Sequence, residues 1–147
     1  MTARRGRLLA SGQRLLRSDK LACLRAARRV FRAAGTGTFD VGVTFVHDLE
    51  MRALNRAWRG KDAATDVLSF AAHEGEAMPG AETLLGDLVI SVDTARRQAR
   101  ALGHALDDEI AVLVAHGLAH LAGLDHERGA NDADMQRSCE MTLLSCA

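Results

Sequence analysis

Hydrophobic positions in the first third of the chain follow helical and strand periods in turn. Apolar residues at helical spacing over 21–31, with arginines on the other face, predict a helix that two glycines end shortly afterwards. The alternating residues from Val41 to Phe45 predict a strand. Asp48 is suited to cap a following helix over 49–57.

Two more strands are predicted in the middle of the chain. Residues 67–70 and 88–92 are apolar runs of strand length, and the only proline lies in the loop between them, residues 71–83. Asp93 is suited to cap the next helix, which Gly103 would end.

The rest of the chain predicts helices. One starts at Asp107 or Asp108 and runs through Leu121, and a last one begins near residue 131. Strands separated by helices, with helices last, predict an α+β fold with a small mixed sheet of about four strands covered by helices. The length of 147 residues suits a single domain, 1–147, and no repeat or linker divides it.

Charge is distributed unevenly although the net charge is zero. Residues 1–61 hold 14 basic and 4 acidic side chains, whereas residues 62–147 hold 5 basic and 15 acidic ones. A basic half can neutralise the phosphates of a nucleic acid. The two halves can equally well neutralise each other within the fold, so charge leaves both interpretations open.

The sequence carries none of the usual signals for membranes or export. No run approaches the roughly eighteen apolar residues of a membrane-spanning helix, and no signal-peptide core follows the N-terminal arginines. Three cysteines without a CxxC pair do not predict a disulfide framework. We therefore expect a cytoplasmic protein without a membrane partner, with organelle targeting as the lesser alternative because the N-terminal segment is rich in arginine.

Three histidines near the C-terminal end form the pattern that indicates chemistry. His116 and His120 are four residues apart, so a helix places both imidazoles on one face. Gly123 can end that helix in the left-handed conformation, and the chain can then return His126 toward the same point. Three histidines and a water form the open tetrahedral arrangement of catalytic zinc. The sequence predicts one zinc ion per chain, held by His116, His120 and His126.

A metalloprotease is the first alternative. The frame HxxxHxxGxxH also occurs in metzincin proteases, where the residue after the first histidine is the glutamate that acts as general base. Here that position is Gly117. Loss of a general base typically costs a factor of about 10²–10⁴ in rate, so peptide hydrolysis is the weaker interpretation.

The histidine segment resembles the hallmark of the YbeY family, the bacterial endoribonucleases and rRNA maturation factors. The family pattern HGxLHLxGxDH is matched over residues 116–126, with Ala119 where the family usually has leucine. A second family block, NxxxRxKxxPTDVLSFP, is similar to residues 55–71, and a third, LGDIxIS, to residues 85–91. Alanines replace both prolines of the second block, and the resemblance spans roughly residues 38–145.

The resemblance implies a zinc ion in a cleft on a zincin-like helix and hydrolysis of phosphodiester bonds in single-stranded RNA. It also implies a role in 3′-end maturation of small-subunit rRNA and in ribosome quality control. The partners would be the rRNA precursor, the small ribosomal subunit and its assembly factors, and no DNA. Zinc would lower the pKa of its water toward neutrality, which makes the ligand His116 part of the catalytic centre.

Further site residues follow from the aligned blocks. Arg59 aligns with a functionally important arginine of the family, and a guanidinium suits a phosphate through its planar fork. We expect Arg59 to be catalytic and, with Lys61, Thr65 and Ser69, to bind substrate. Glu109 is expected either to have a structural role or to hydrogen-bond to a metal ligand, and Asp125 either to orient a ligand histidine or to be solvated at the helix end.

The remaining candidates are expected to be structural. Trp58 could stack on a base, but in a chain with so few aromatic residues it is expected in the core. Asp66 is as well suited to a turn as to a site. His47 and His104 have no partner at ligand spacing.

A non-catalytic alternative also stays open, a ribosome-assembly factor in which zinc is structural. A structural zinc ion is usually bound by four protein ligands, so this alternative requires a fourth ligand besides the three histidines. Cys139 is the nearest cysteine in the sequence.

Overall fold

A computed structural model of the chain describes residues 6–34, 39–72 and 84–122. Most of the loop predicted over 71–83, the last predicted helix, and Asp125, His126 and Cys139 lie outside these residues. None of the helices within them is both long and apolar enough to cross a membrane. The elements in chain order are β1 (Leu8–Ser11), α1 (Arg17–Ala34), β2 (Asp40–Val46), α2 (Asp48–Arg59), β3 (Val67–Ala71), β4 (Leu84–Ser91), α3 (Val92–Leu102) and α4 (Leu106–Leu121).

The four strands form one mixed sheet in the order β1-β2-β4-β3. β1, β2 and β4 are parallel, and β3 is the antiparallel edge strand beside β4. The α+β fold with a small mixed sheet, predicted from the alternation of periods, is confirmed. β1 escaped prediction because four residues are too few to show a period. It exists because Arg7 donates its backbone N–H to Asp40 Oδ1 at 2.7 Å and brings Leu8 into register with Val41.

The two faces of the sheet are covered by different helices. Alternate residues of β2 and β4 point into the main core against α1, α3 and α4, and none of them is more than 2% exposed. The opposite face carries a smaller cluster, in which Met51 of α2 packs with Val46 and Leu68. Helix α2 and helix α4 therefore lie on opposite sides of the sheet. The residues of β2 and β4 in the main core are Val41, Val43, Phe45, Leu88 and Ile90.

The two predicted helix caps do not act as caps. His47 occupies the N-cap position of α2, and Ser91 is the N-cap of α3, with its hydroxyl accepting from Thr94 N. Asp48 and Asp93 lie one and two residues further into their helices. Their carboxylates instead form hydrogen bonds that connect α2 to α3. For example, Asp93 Oδ2 accepts the backbone N–H of Asp48 at 2.9 Å.

Asp48 is the centre of a joint, the set of polar contacts that connects α2 to α3 and to the end of β4. Its Oδ1 accepts the hydroxyls of Ser91 at 2.7 Å and Thr94 at 2.6 Å, and its Oδ2 lies 2.7 Å from Arg97. Burial alone would raise the pKa of Asp48, but the hydrogen bonds from Thr94, Ser91 and Arg97 outweigh it and lower that pKa. The joint holds α2 and α3 together at the carboxyl ends of β2 and β4.

Candidate active site

The two histidines of α4 form the geometric centre of the site. His116 and His120 are both half-buried, with ring centroids 5.9 Å apart and ring planes inclined by 35°. This separation leaves room for one ion at about 2 Å from a nitrogen of each ring, and imidazole is a donor that zinc favours. The structure thus places two of the three predicted ligands together. Because the third, His126, lies outside the described residues, no group of three potential ligands occurs within them.

Gly117 allows α4 to lie unusually close to the sheet. A Cβ at this position would come within 2.6 and 2.7 Å of the two terminal methyl groups of Leu88, which is fully buried. The residue after the first histidine therefore faces β4 and has no space for a side chain. A glutamate base of the metzincin kind does not fit here, which weighs against the metalloprotease alternative.

The C-terminal end of α4 lies over the edge of the sheet. A Cβ on Gly86 would meet Leu121 of α4 at 2.6 Å and the carbonyl oxygen of Phe70 at 2.5 Å. Ser69 of β3 is the register partner of Leu88, and paired residues share a face of the sheet. Ser69 therefore faces the same layer as the two histidines, as a substrate-binding residue would require.

The start of β3 is built around Asp66. Its Oδ1 accepts the backbone N–H of Val67 at 2.8 Å and a longer bond from the hydroxyl of Thr65 at 3.4 Å. Its Oδ2 accepts from Gln98 of α3 at 3.3 Å. These contacts give Asp66 a structural role in attaching β3 to α3, and they draw the hydroxyl of Thr65 toward the same carboxylate.

Arg59 and Lys61 lie at the exposed end of α2. Arg59 is the last helical residue, and Gly60 ends the helix in the left-handed conformation with φ at 68°. Neither cationic side chain has an ion-pair partner in the part of the chain that the structure describes. The neighbouring acid, Asp62, is already paired with Arg52 at 2.8 and 3.0 Å. Both cations are therefore available for an anionic ligand.

Asn55 is a buried polar residue near the cations of α2, and no role was assigned to it from the sequence. Its side chain is only 3% exposed, and its amide donates to the carbonyl of Ala63 at 2.8 Å. This bond holds the segment that carries Lys61 against α2. The only signal for it in the sequence is its place at the start of the second family block.

The expectation that Trp58 lies in the core is wrong, because this residue is 69% exposed. Burial was predicted because the chain has so few aromatic residues, but the exposed indole shows that this reason was not sufficient. The indole forms an edge-to-face pair with Phe70, with centroids 5.6 Å apart and planes at 69°.

Glu109 is buried, and its hydrogen-bond partner is His104, which has no metal-ligand partner at the expected sequence spacing. His104 Nε2 lies 2.6 Å from Glu109 Oε2, and only 4% of Glu109 is exposed. The pair attaches the turn between α3 and α4 to the first turn of α4. Support of the metal ligands by Glu109 stays a prediction, as does the corresponding role of Asp125.

A solved structure shares this fold. The solution structure of TM1509 from Thermotoga maritima superposes with a TM-score of 0.59, covering 95% of this chain and 89% of that one, at 21% sequence identity. At this identity the likeness concerns the fold alone.

Sequence comparisons find relatives of higher identity than this structure. The family model described as endoribonuclease YbeY matches residues 16–146. The endoribonuclease YbeY of Aquifex aeolicus is 43% identical over 133 residues, covering 90% of this chain and 85% of that protein. The endoribonuclease YbeY of Pelotomaculum thermopropionicum is 47% identical over 122 residues, covering 81% and 80%. With its histidine pair, its exposed cations and these relatives, the chain belongs to the endoribonuclease YbeY family.

Proposed function

We propose that the protein is a zinc-dependent endoribonuclease that cuts single-stranded RNA. The observation that carries this proposal is the pair His116 and His120 on one face of α4, at a separation that suits one ion, in a chain whose relatives are named endoribonucleases. In the cell it would act in 3′-end maturation of small-subunit rRNA and in ribosome quality control, in the cytoplasm. The rRNA precursor, the small subunit and its assembly factors would be its partners.

The metal would be held by three imidazoles, His116 and His120 from α4 and His126 from the following segment. A zinc ion there supplies Lewis acidity and an activated water. Three protein ligands leave one coordination position open, as in catalytic rather than structural sites. The close packing of Gly117 on Leu88 supports this assignment, because it holds the helix that bears both ligands rigidly against β4.

The cations at the end of α2 would bind the phosphodiester. The planar fork of Arg59 can donate two parallel hydrogen bonds to phosphate oxygens and stabilise charge that develops as the bond breaks. Lys61 would add a point charge, and Ser69 would offer a hydroxyl from the layer that faces α4. Thr65 would contribute through its hydroxyl once released from its long bond to Asp66.

The experiment is cleavage of an end-labelled single-stranded RNA from the 3′ region of small-subunit rRNA. We expect wild type to cut it, chelator to stop the reaction, and His116→Ala to lose both zinc and activity. Arg59→Ala should keep zinc but lose about 10²–10³-fold in rate, as removal of a donor to a developing charge does. Arg52→Gln is the matched control on the same helix, because that arginine is already paired with Asp62.

Several outcomes would count against the proposal. Equal cleavage by wild type and His116→Ala would identify a contaminating nuclease. Normal cleavage by Arg59→Ala would remove the role assigned to that residue. Loss of zinc in Cys139→Ala would favour the assembly factor with a closed structural site.

A further inference from the structure

The exposed indole of Trp58 has no role in the reaction described above. It is 69% exposed, whereas Phe45 in the main core is 2% exposed. A buried tryptophan removes about 150–250 Å² of surface from water, so a tryptophan left in solvent gives up much of that stabilisation. Its exposure leaves the face of the ring accessible to a ligand.

The ring is exposed but held in place. Phe70 meets it in an edge-to-face contact, with centroids 5.6 Å apart and an interplanar angle of 69°. This geometry is favourable for aromatic pairs and limits rotation of the indole. An aromatic ring that is already oriented loses little conformational entropy when a flat ligand stacks on it.

The position of the ring links it to the proposed site. Trp58 directly precedes Arg59, and Phe70 directly follows Ser69 on the edge strand β3. Because neighbouring residues of a strand point to opposite faces, Phe70 faces α2 while Ser69 faces the layer of α4. An extended ligand that crosses the edge of the sheet at β3 can reach both the indole and the histidine side.

Basic residues flank the ring in the sequence. Arg56, Arg59 and Lys61 are exposed, and none of them forms an ion pair with another described residue. An aromatic platform between free cations is the combination that binds single-stranded nucleic acids, with bases stacked on the ring and phosphates on the charges. It does not suit an apolar protein partner, which would have to bury these charges.

We propose that Trp58 is the stacking platform for an unpaired base of the RNA, placing the adjacent phosphate at Arg59. This inference rests on the proposed endoribonuclease function and adds a basis for its preference for single strands. Bases in a duplex are stacked on each other and are not available to the indole, whereas every unpaired base has a free face. The platform acts on binding and positioning rather than on the bond that breaks.

Fluorescence provides a direct test, because Trp58 is the only tryptophan and the chain has no tyrosine. The full chain is titrated with a single-stranded 2′-O-methyl oligonucleotide, and labelled-oligonucleotide anisotropy measures binding in parallel. We expect saturable quenching or a spectral shift with the same midpoint as the anisotropy. An abasic strand with the same number of phosphates, and a preformed duplex, should leave the emission almost unchanged. Equal changes with the abasic strand, or none while anisotropy saturates, would overturn the proposal.

Steady-state cleavage separates this role from the chemistry. Trp58→Ala should raise KM about 10-fold with kcat changed less than about 3-fold, and Trp58→Phe should restore most of the loss. Leu49→Ala is the matched control, since Leu49 is an apolar residue of the same helix and is 80% exposed. An unchanged KM in a folded Trp58→Ala variant would refute the stacking role while leaving the endoribonuclease intact. Absence of cleavage by wild type would instead refute the proposed function, and the fluorescence titration would still decide whether the indole binds a base.

Discussion

At the scale of single residues, Gly117 shows how one position determines where the site helix lies. Its Cα faces Leu88, whose methyl groups would lie within 2.7 Å of any added Cβ. Leu88 is fully buried and cannot move away freely. Gly117 therefore has two consequences. It stands where metzincins have their glutamate base, and it sets the distance between α4 and the sheet.

Gly117→Ala is expected to destabilise the protein although alanine favours helices. The gain in helix propensity is about 1 kcal/mol, whereas overpacking of a buried contact costs about 1–3 kcal/mol. We expect a net loss of about 1 kcal/mol in the free energy of unfolding, measured with urea. In a Leu88→Val background the same substitution should cost less, because valine is one methylene shorter and its methyl groups end nearer to the backbone of β4. Equal costs in both backgrounds would show that the contact with Leu88 is not the cause.

At the scale of elements, helix α1 has two faces of different chemistry. Its buried face consists of small and medium residues that permit close packing on α4: Cys23, Ala26, Ala27 and Val30. Four exposed arginines lie within an arc of about 80° on the outer face and span roughly 22 Å. The only acid of the helix, Asp19, is paired with Arg96 of α3 at 2.6 Å. The arginines of this outer face, which have no ion-pair partner in the described parts of the chain, are Arg17, Arg25, Arg28 and Arg32.

This arginine face is expected to contribute to RNA affinity through the phosphates alone. Replacing Arg25, Arg28 and Arg32 together with glutamine should weaken binding of long RNA and reduce the slope of log K against log salt by about 2. The matching lysine variant should keep most of the affinity, because a phosphate contact needs charge. Glutamine and lysine have helix propensities close to that of arginine, so both variants should fold. A salt slope unchanged in the glutamine variant would exclude this surface.

At the scale of the whole molecule, His47 connects the N-terminal segment to two helices. Its Nδ1 lies 3.1 Å from Asp93 Oδ1 of α3, and its Nε2 lies 3.2 Å from the carbonyl oxygen of Arg14. Both partners are acceptors, so both ring nitrogens donate, which only the protonated imidazole can do. The hydrogen bond to Asp93, followed by that to Arg14, raises the pKa of His47 above 6.5.

The stability of the fold should therefore depend on pH through this residue. Because the pKa of His47 is higher in the folded than in the unfolded state, its stabilisation is fully present below the unfolded value. It is lost as pH rises through the folded value. His47 is 39% exposed, so solvent screening keeps the effect below about 1 kcal/mol.

The measurement is the difference in free energy of unfolding between wild type and His47→Gln from about pH 5.5 to 8.5. Taking the difference cancels the other titrating groups. We expect wild type to be favoured at the acidic end and the two proteins to converge at the alkaline end. A difference that stays constant across the range would contradict the assignment.

Local properties of the chain were enough to determine the fold class and the centre of the site. The alternation from Val41 to Phe45 and the helical stripes identify the core faces, because periodicity depends only on backbone geometry. The spacing of His116 and His120 places both rings on one side of a helix for the same reason. The proximity of these two imidazoles was therefore predictable from residues close together in sequence.

Only the tertiary structure decided which surfaces meet. β1 exists because β2 offers it an edge, and Asp48 joins two helices rather than capping one because Ser91 and Thr94 lie opposite it. Trp58 is 69% exposed although Met51 on the same helix is fully buried. A period in the sequence shows which face of an element is apolar, but the extent and shape of the opposing surface depend on residues far away along the chain.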